Sequence, residues 1–326
     1  MGSEYPLSTR AVALGVVVAV VCFSAAVVVP FFGFIPGLLT MVPVVYVAAL
    51  GRHWWLAFLM VLLASILLYL LFQGTAPVLG FLIEYGLPAV VLSYITLKGY
   101  SRLHSMVLAA AGSTCVMVLA VSFYAAQHSL TPMVLLQQAF QTNLEMVQSV
   151  YRDMGMAEEQ LLFLQNSSSA MGYWAGMLFP SLLFGAYFLL SGLTVTAVVL
   201  LSRWRKTTSS WKTGSTFEHF AVYQQVVWLF IGCWVLLLVP GVPEFGRFFL
   251  WNGIAILGFF YFLQGMAIIH CCLQAFQVRT GGRFFIYFLL FAFHFLLVAV
   301  AMAGLFDLWV DFRRIARRRD SDQGHC

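Results

Sequence analysis

Glu84 is the residue whose type and position most strongly suggest chemistry. It stands near the middle of the apolar stretch APVLGFLIEYGLPAVVLSYITL, where a lone carboxylate is costly if the stretch crosses a membrane. Pro88 follows four residues later, and in a regular helix its ring clashes with the Glu84 carbonyl. A broken helix with an acidic residue at the break is typical of ion and substrate sites. We therefore predict a substrate or ion site at Glu84 and Pro88. The alternative is a protonated or hydrogen-bonded glutamic acid that holds a kink together.

A second group of polar residues lies in the apolar stretch YFLQGMAIIHCCLQAFQV, residues 261–278. At about 100° per residue, its polar side chains fall on one arc of a helix, together with Asn252 three turns earlier. Only Gln264 lies near the middle of the bilayer, whereas His270 approaches the basic end at Arg279. We predict that Gln264 contacts another helix or a ligand, and we include Asn252 among the candidate site residues.

One further candidate and a pair of acidic residues lie in the last apolar run. His294 is flanked by phenylalanines, and it is either a hydrogen-bonded packing residue or a ligand or proton-relay group. Asp307 and Asp311 stand one turn apart on a helix, with Arg314 three residues beyond. This spacing predicts a salt-bridged helix end at the lipid headgroups.

The sequence carries no pattern that indicates catalysis, a metal or a cofactor. The zinc-protease motif HExxH, the nucleophile elbow GxSxG and the P-loop are all missing. The six cysteines include no CxxC pair, and five of them fall in apolar runs, which predicts buried thiols. We expect no enzymatic activity, no cofactor and no bound metal.

The elements that must position these residues are membrane-spanning helices. Of the 326 residues, 62% are hydrophobic and 9% are charged, against roughly 25% charged in ordinary soluble domains. Apolar runs of about 20 residues recur along the chain, each long enough to cross a bilayer. The sequence therefore predicts an all-α polytopic integral membrane protein with about eight or nine transmembrane helices. Its main partner is the lipid bilayer, and the charge of +5 indicates no nucleic acid, because the basic residues lie in short loops.

The apolar runs and the loop charges together predict a topology. Lys and Arg concentrate in alternate loops, which places the N-terminus in the cytoplasm, and we expect the bacterial inner membrane. A ninth crossing would put the polybasic tail outside, against its expected affinity for anionic cytoplasmic lipid, so we expect a re-entrant or split segment near the C-terminus. The predicted spans are 11–29, 34–50, 54–72, 77–97, 103–125, 171–202, 221–239, 248–278 and 284–310.

These spans predict five parts. A six-span bundle over 1–206 contains an extracytoplasmic amphipathic segment, 127–170. A cytoplasmic loop, 207–220, leads to C-terminal membrane helices over 221–312 and a basic cytoplasmic tail, 313–326.

The segment 127–170 begins with a clear helix-start signal. Thr131 and Pro132 supply a hydroxyl cap and a proline at the first helical position, and apolar residues then follow at helical spacing. Gly155 ends this helix, and residues 157–165 predict a second short one. The segment is either an amphipathic helix lying on the membrane surface or a lid over an outward-facing cavity.

The first span carries a stripe of small residues, Ala11, Gly15 and Ala19, one every four positions. Such a stripe lets another helix approach closely. That helix belongs either to the same chain or to a separate membrane protein.

Three pieces of the sequence resemble the YybS-like family of uncharacterised bacterial membrane proteins, a domain of unknown function. They are LFPSLLFG around Pro180, YFLQGMAII around Gln264, and GLFDLWVDFRR near the end. The first six spans are also similar to the S components of energy-coupling-factor vitamin transporters. Those have six helices, cytoplasmic termini and an AxxxA stripe that docks the coupling subunit; here Gly15 replaces the usual alanine of that stripe. The likeness implies substrate binding.

Two functions follow as hypotheses. The first is transport or substrate binding of a small molecule, with a cavity near Glu84. The alternative is a non-transporting membrane scaffold that recruits cell-envelope or division proteins through the small-residue stripe and the basic tail.

Overall fold

A computed structural model describes residues 9–29, 33–155, 170–205 and 220–310, and within these ranges all regular secondary structure is helical. The helices are α1 (Thr9–Val28), α2 (Phe34–Leu39), α3 (Met41–Gly51), α4 (Trp55–Phe72), α5 (Thr75–Phe81), a π-helical turn (Leu82–Gly86), α6 (Leu87–Leu97), α7 (Arg102–Gln127), α8 (Pro132–Asp153), α9 (170–177), α10 (Phe179–Trp204), α11 (Val226–Leu238), α12 (Glu244–Ala275), α13 (Thr280–Ala292) and α14 (His294–Val310).

Most of these helices have the length and composition of membrane spans. In the part of the chain that the structure describes, seven helices are long and apolar enough to cross a bilayer, or eight if one bent pair counts as a single span. The all-α polytopic membrane protein is therefore confirmed. The count falls short of the predicted nine at residues 221–239, because α11 has 13 residues, and about 20 are needed to cross.

The helices form two compact units. The first comprises Met1–Gly172 and Leu182–Gly214. In this unit α1 packs against α2, α3 and α4, and α6 packs against α3 and α7. Its core consists of apolar side chains such as Phe23, Met60 and Leu92. The opposite faces of α1 and α4 expose leucine and valine, as expected for surfaces that contact lipid.

The small-residue stripe of α1 is used within this unit. Gly15 and Ala19 are both buried. A Cβ added to Gly15 would collide with the end of the Met60 side chain and would press on Val47, so the glycine allows α1 to approach α3 and α4. Ala11 is half-buried at the start of the same face. This is helix packing inside the chain, the first of the two roles considered for the stripe.

The second unit comprises Tyr173–Ser181 and Ser215–Cys326. It is built on the 32-residue helix α12, against which α14 and α11 pack. Two glycines bring α12 and α14 together. A Cβ on Gly265 would collide with the backbone of Val300, and one on Gly304 would collide with the Tyr261 carbonyl. Neither position can hold a larger residue without separating the helices.

The end of the second unit contains the predicted split segment. The helices Thr280–Ala292 and Phe295–Val310 are apolar enough to cross the membrane together, but they are bent by 106°. Phe293, between them, has an extended backbone. This geometry belongs to a broken span or to a re-entrant loop, as the topology argument predicted for this part of the chain.

The helix predicted to start at Thr131 is confirmed. The Thr131 hydroxyl accepts a hydrogen bond from the Val134 N–H at 3.3 Å, Pro132 is the first residue of α8, and Gly155 follows its end with a φ of +80°. No residue of α8 is buried, and its apolar residues are exposed or half-buried. The second short helix, predicted at 157–165, lies outside the described residues.

Candidate functional site

Glu84 lies in a π-helical turn within a continuous span, and not in a broken helix. Thr75–Leu97 runs through as one membrane-length element, in which the π turn Leu82–Gly86 joins α5 to α6. The Leu87 N–H donates to the Leu82 carbonyl, five residues back. The predicted break at Pro88 is thus wrong in form, because the extra residue in the turn absorbs the proline without ending the helix. Such π turns occur often at functional sites.

The π turn frees one carbonyl, and a distant tyrosine binds it. The Leu87 N–H donates to Leu82 and so does not reach the Ile83 carbonyl, while Pro88 has no N–H. The Tyr187 hydroxyl, on α10, donates to the Ile83 carbonyl at 3.4 Å. Tyr187 is only 6% exposed, so this bond is held inside the protein. It fixes α10 to the irregular turn that carries Glu84.

The Glu84 side chain is deep within the span yet exposed on its unit. It is the tenth of the 23 residues in Thr75–Leu97, so at 1.5 Å per residue it lies about 14 Å from the nearer end. Among the described residues, it forms no hydrogen bond and no ion pair. The phenol groups of Tyr85 and Tyr187 are within electrostatic range of its carboxylate. A bilayer-depth carboxylate is therefore present without a countercharge from the described chain.

Aromatic side chains pack around the π turn. The Phe23 ring, on α1, meets the Phe81 ring edge-on at 5.4 Å between centroids and the Tyr85 ring at 5.9 Å. The Tyr85 hydroxyl lies close to Gly37 of α2, where an added Cβ would stand 3.3 Å from it. The side of the turn that faces α1 and α2 is thus lined by three aromatic rings, those of Phe23, Phe81 and Tyr85.

Basic residues are kept away from this region. In the described part of the first unit, every Lys, Arg and His lies in a loop or within the first three or last three residues of a helix. The span that contains Glu84, Thr75–Leu97, is followed by Lys98 at one end and has no basic residue beside it at the other. The environment of Glu84 is consequently one of negative charge, phenol oxygens and aromatic rings.

Gln264 belongs to the second unit, where the protein itself uses both ends of its amide. Its Oε1 accepts from the Val222 N–H at 2.9 Å, and its Nε2 donates to Asp307 Oδ2 at 3.2 Å. The side chain is 1% exposed. Val222 lies in a non-helical segment just before α11, and such backbone must find a donor or acceptor at membrane depth. Gln264 is therefore a contact between elements, the first of its two predicted roles.

Asp307 has a partner that its sequence spacing did not suggest, because it accepts from Gln264 on α12. The predicted salt-bridged helix end also involves Asp311 and Arg314, which lie outside the described residues, and it stays a prediction. Sequence spacing indicates only neighbours along one helix. The partner on α12 comes close because Gly265 and Gly304 let α12 and α14 pack together, which the spacing does not show.

Asn252 also bonds within the chain. Its amide nitrogen donates to the carbonyls of Met177 and Phe248, each at 2.8 Å, and its oxygen accepts from the Ser181 N–H at 2.9 Å. Met177 and Ser181 flank the junction between α9 and α10. Asn252 thus satisfies backbone groups that the interruption of the helix leaves open.

His270 ties α13 to α12. The amide nitrogen of Gln274 lies 3.0 Å from His270 Nε2, and the Tyr287 hydroxyl lies 2.8 Å from Nδ1. Both ring nitrogens of His270 therefore have a hydrogen-bonding group within reach. The His294 side chain, the other histidine candidate, lies outside what the structure describes. No group of three or more His, Cys, Asp or Glu in the described residues is arranged to hold a metal.

Tyr187 and Tyr85 are not among the site residues that the sequence predicts. Tyr85 is adjacent to Glu84, and its hydroxyl was an available signal because a phenol in a span is normally placed near a partner. Tyr187 gives no such local signal. It could be found only by asking which distant donor satisfies the carbonyl that Pro88 leaves open.

Comparison with known proteins gives a family and no further relative. A family model described as "Predicted membrane protein (DUF2232)" matches residues 17–308. No curated protein and no solved structure shows significant similarity to the chain. The match covers most of the 326 residues, including Glu84, Tyr187 and Gln264. The chain therefore belongs to the DUF2232 family of predicted membrane proteins.

Proposed function

We propose that this protein binds a small molecule at Glu84, within the membrane, and moves it across. The observation that carries the proposal is the position of Glu84: a carboxylate at bilayer depth, on a π turn, with no hydrogen bond or ion pair to any described residue. An ionisable residue within a span is costly to keep. A ligand or transported ion that neutralises it explains why it is there.

The structural alternative for Glu84 has less support. A glutamic acid that holds a kink together would donate its proton to a carbonyl freed by the kink. At this turn the Ile83 carbonyl accepts from the Tyr187 hydroxyl at 3.4 Å, and not from the Glu84 side chain. The π turn is thereby stabilised without the Glu84 side chain, which leaves the carboxyl group for a ligand.

The scaffold alternative uses the small-residue stripe of α1 and the basic tail, 313–326, which lies outside the described residues. Gly15 and Ala19 are buried by their own unit, so a partner cannot approach through them. The same fact weighs against docking of a coupling subunit through this stripe. We therefore propose solute binding and movement by this chain, with no role for the stripe in recruiting other proteins and no catalytic step.

We further propose that the chain lies in a bacterial inner membrane with its N-terminus in the cytoplasm. The support is the concentration of Lys and Arg in alternate loops, which favours the cytoplasmic side. On this topology the segment that contains α8 is extracytoplasmic.

The test is a binding screen with the full chain in lipid nanodiscs. Small solutes are added one at a time, and the thermal unfolding midpoint is recorded for the wild type, for Glu84→Gln and for Glu244→Gln. Glu244 is an exposed residue at the start of α12, so its variant makes the same charge change away from the site. We expect solutes that raise the wild-type midpoint to do so in Glu244→Gln and not in Glu84→Gln. Retention of every such shift in Glu84→Gln would contradict the proposal.

A further inference from the structure

The groups around Glu84 limit the kind of solute that the site can take. This inference rests on the proposed function. The described chain places a carboxylate, two phenols and several aromatic rings at the π turn, and it places every basic side chain of the unit in loops or at helix ends. In a medium of low dielectric constant, a nearby negative charge acts strongly. An anionic solute would be repelled, and a cationic one would be attracted.

The kind of cation follows from the remaining groups. A divalent metal would require several oxygen, nitrogen or sulfur ligands, and no group of three or more His, Cys, Asp or Glu in the described residues is arranged to supply them. The Phe23 ring lies 5.4 Å from the Phe81 ring and 5.9 Å from the ring of Tyr85, the neighbour of Glu84, and of the three only Tyr85 is not buried. Aromatic rings favour organic cations, with quaternary ammonium groups as the best-known case.

The carboxyl group must also be neutral when no solute is bound. With no countercharge from the described chain, a proton is the simplest way to remove the cost of an exposed charge at bilayer depth. An arriving cation then replaces that proton, which leaves to water. One positive charge enters and one departs, so the net charge of the site is the same in both states.

We propose that the Glu84 site binds a monovalent organic cation, an amine or a quaternary ammonium compound, in exchange for one proton. The carboxylate supplies the countercharge, and the half-buried ring of Tyr85, next to Glu84 on the turn, contacts the apolar part of the solute. Tyr187 holds the turn in place through the Ile83 carbonyl and acts as a positioning residue.

Other titratable groups on elements around the turn are few, and none duplicates Glu84. Tyr85 and Tyr187 are the ones within electrostatic range of its carboxylate. The remaining groups on the packed helices, in the described residues, are Arg10 and Cys22 of α1, Tyr46 of α3, Tyr69 of α4, Tyr94 of α6, Arg102, His104, Cys115 and Tyr124 of α7, and Arg203 of α10.

The experiment uses three solutes of nearly equal shape and different charge: choline, its neutral carbon analogue 3,3-dimethylbutan-1-ol, and the anion 3,3-dimethylbutanoate. A second cation, the protonated amine 2-phenylethylamine, tests whether the site binds organic cations as a class. Binding to the full chain in nanodiscs is measured by calorimetry at several pH values, in buffers of different ionisation enthalpy, so that proton release is counted. The variants are Glu84→Gln and the control Glu244→Gln, with unfolding midpoints recorded to confirm folding.

We expect choline or 2-phenylethylamine to bind, with one proton released per cation and with affinity that falls as the pH is lowered. Glu84→Gln should weaken cation binding at least tenfold and abolish the proton release, whereas Glu244→Gln should change neither. Binding of the neutral analogue at Glu84 with equal affinity would overturn the cation inference and leave the proposed function standing. Failure of both choline and 2-phenylethylamine to bind would likewise overturn the cation inference. If Glu84→Gln leaves the binding of every tested solute unchanged, both the cation inference and the proposed function are overturned.

Discussion

Glu84 and Gln264 are polar residues in the interior of long membrane helices, and the protein treats them in opposite ways. Gln264 is 1% exposed, and both ends of its amide are bonded to the chain, at Val222 and at Asp307. Glu84 is exposed on its own unit and has no hydrogen bond or ion pair among the described residues. The first connects elements of the fold. The second makes no such connection among the described residues.

The difference teaches how to sort polar residues in membrane spans. An unsatisfied buried polar group costs about 1–3 kcal/mol, and an isolated charge at bilayer depth costs more. A side chain that meets this cost through bonds within the chain contributes to stability, and its loss should lower stability. A side chain that does not meet it has to be neutralised from outside the chain, and its loss should affect binding more than stability.

The largest expected effect is at the glycine crossing of the second unit. Gly304→Ala places a methyl group against the Tyr261 carbonyl, and backbone cannot move aside as a side chain can. We expect a loss of about 3 kcal/mol, at the upper end for overpacking, seen as a lower thermal unfolding midpoint in detergent.

Gly258→Ala on α12 is the matched control for this variant. A Cβ at Gly258 meets nothing within 4 Å, and alanine favours a helix over glycine by roughly 1 kcal/mol. We expect Gly258→Ala to leave the midpoint unchanged or to raise it. Equal behaviour of the two alanine variants would show that α12 and α14 are not in close contact.

The next effect concerns Gln264. Gln264→Leu removes the acceptor for the Val222 N–H and the donor to Asp307, so we expect a loss of about 2–3 kcal/mol from the groups left unsatisfied. Gln264→Leu, Asp307→Asn and the double variant form a thermodynamic cycle. Because the two residues share a hydrogen bond, their effects should be non-additive. Strict additivity within about 0.3 kcal/mol would mean that they do not interact.

The smallest effect is at Tyr187. Tyr187→Phe removes the hydroxyl that donates to the Ile83 carbonyl and keeps the ring, so we expect a loss of about 1 kcal/mol. Binding at Glu84 should weaken by a few-fold, less than in Glu84→Gln. Tyr94→Phe is the control, because Tyr94 is an exposed tyrosine on α6. If Tyr94→Phe weakens binding as much as Tyr187→Phe does, the hydroxyl of Tyr187 does not position the turn.

Features set by local sequence were predictable. The start of α8 followed from Thr131 and Pro132, because a cap is a contact between residues three positions apart. The depth of Gln264 and the irregularity at Glu84 and Pro88 followed in the same way, from helical periodicity and from the missing N–H of proline. The split near the C-terminus followed from the basic tail, because nine full crossings would have placed its positive charges outside the cell.

Features set by distant partners were not predictable. The π turn, instead of a break, depends on a residue inserted into the helix and on Tyr187, which is 104 positions from Ile83. The partner of Gln264 is 42 positions away and is a backbone group before a helix too short to cross. Neither pairing has a signature in one sequence, because each depends on how separate helices pack.

The central claim is tested most directly by measuring Glu84→Gln and Gln264→Leu side by side, in the same nanodiscs, for both unfolding midpoint and cation affinity. For whichever of choline and 2-phenylethylamine binds the wild type, we predict that Glu84→Gln keeps the wild-type midpoint and weakens binding at least tenfold, while Gln264→Leu lowers the midpoint and binds that cation as the wild type does. The reverse outcome would contradict the account: a Glu84→Gln variant as unstable as Gln264→Leu, with cation binding intact.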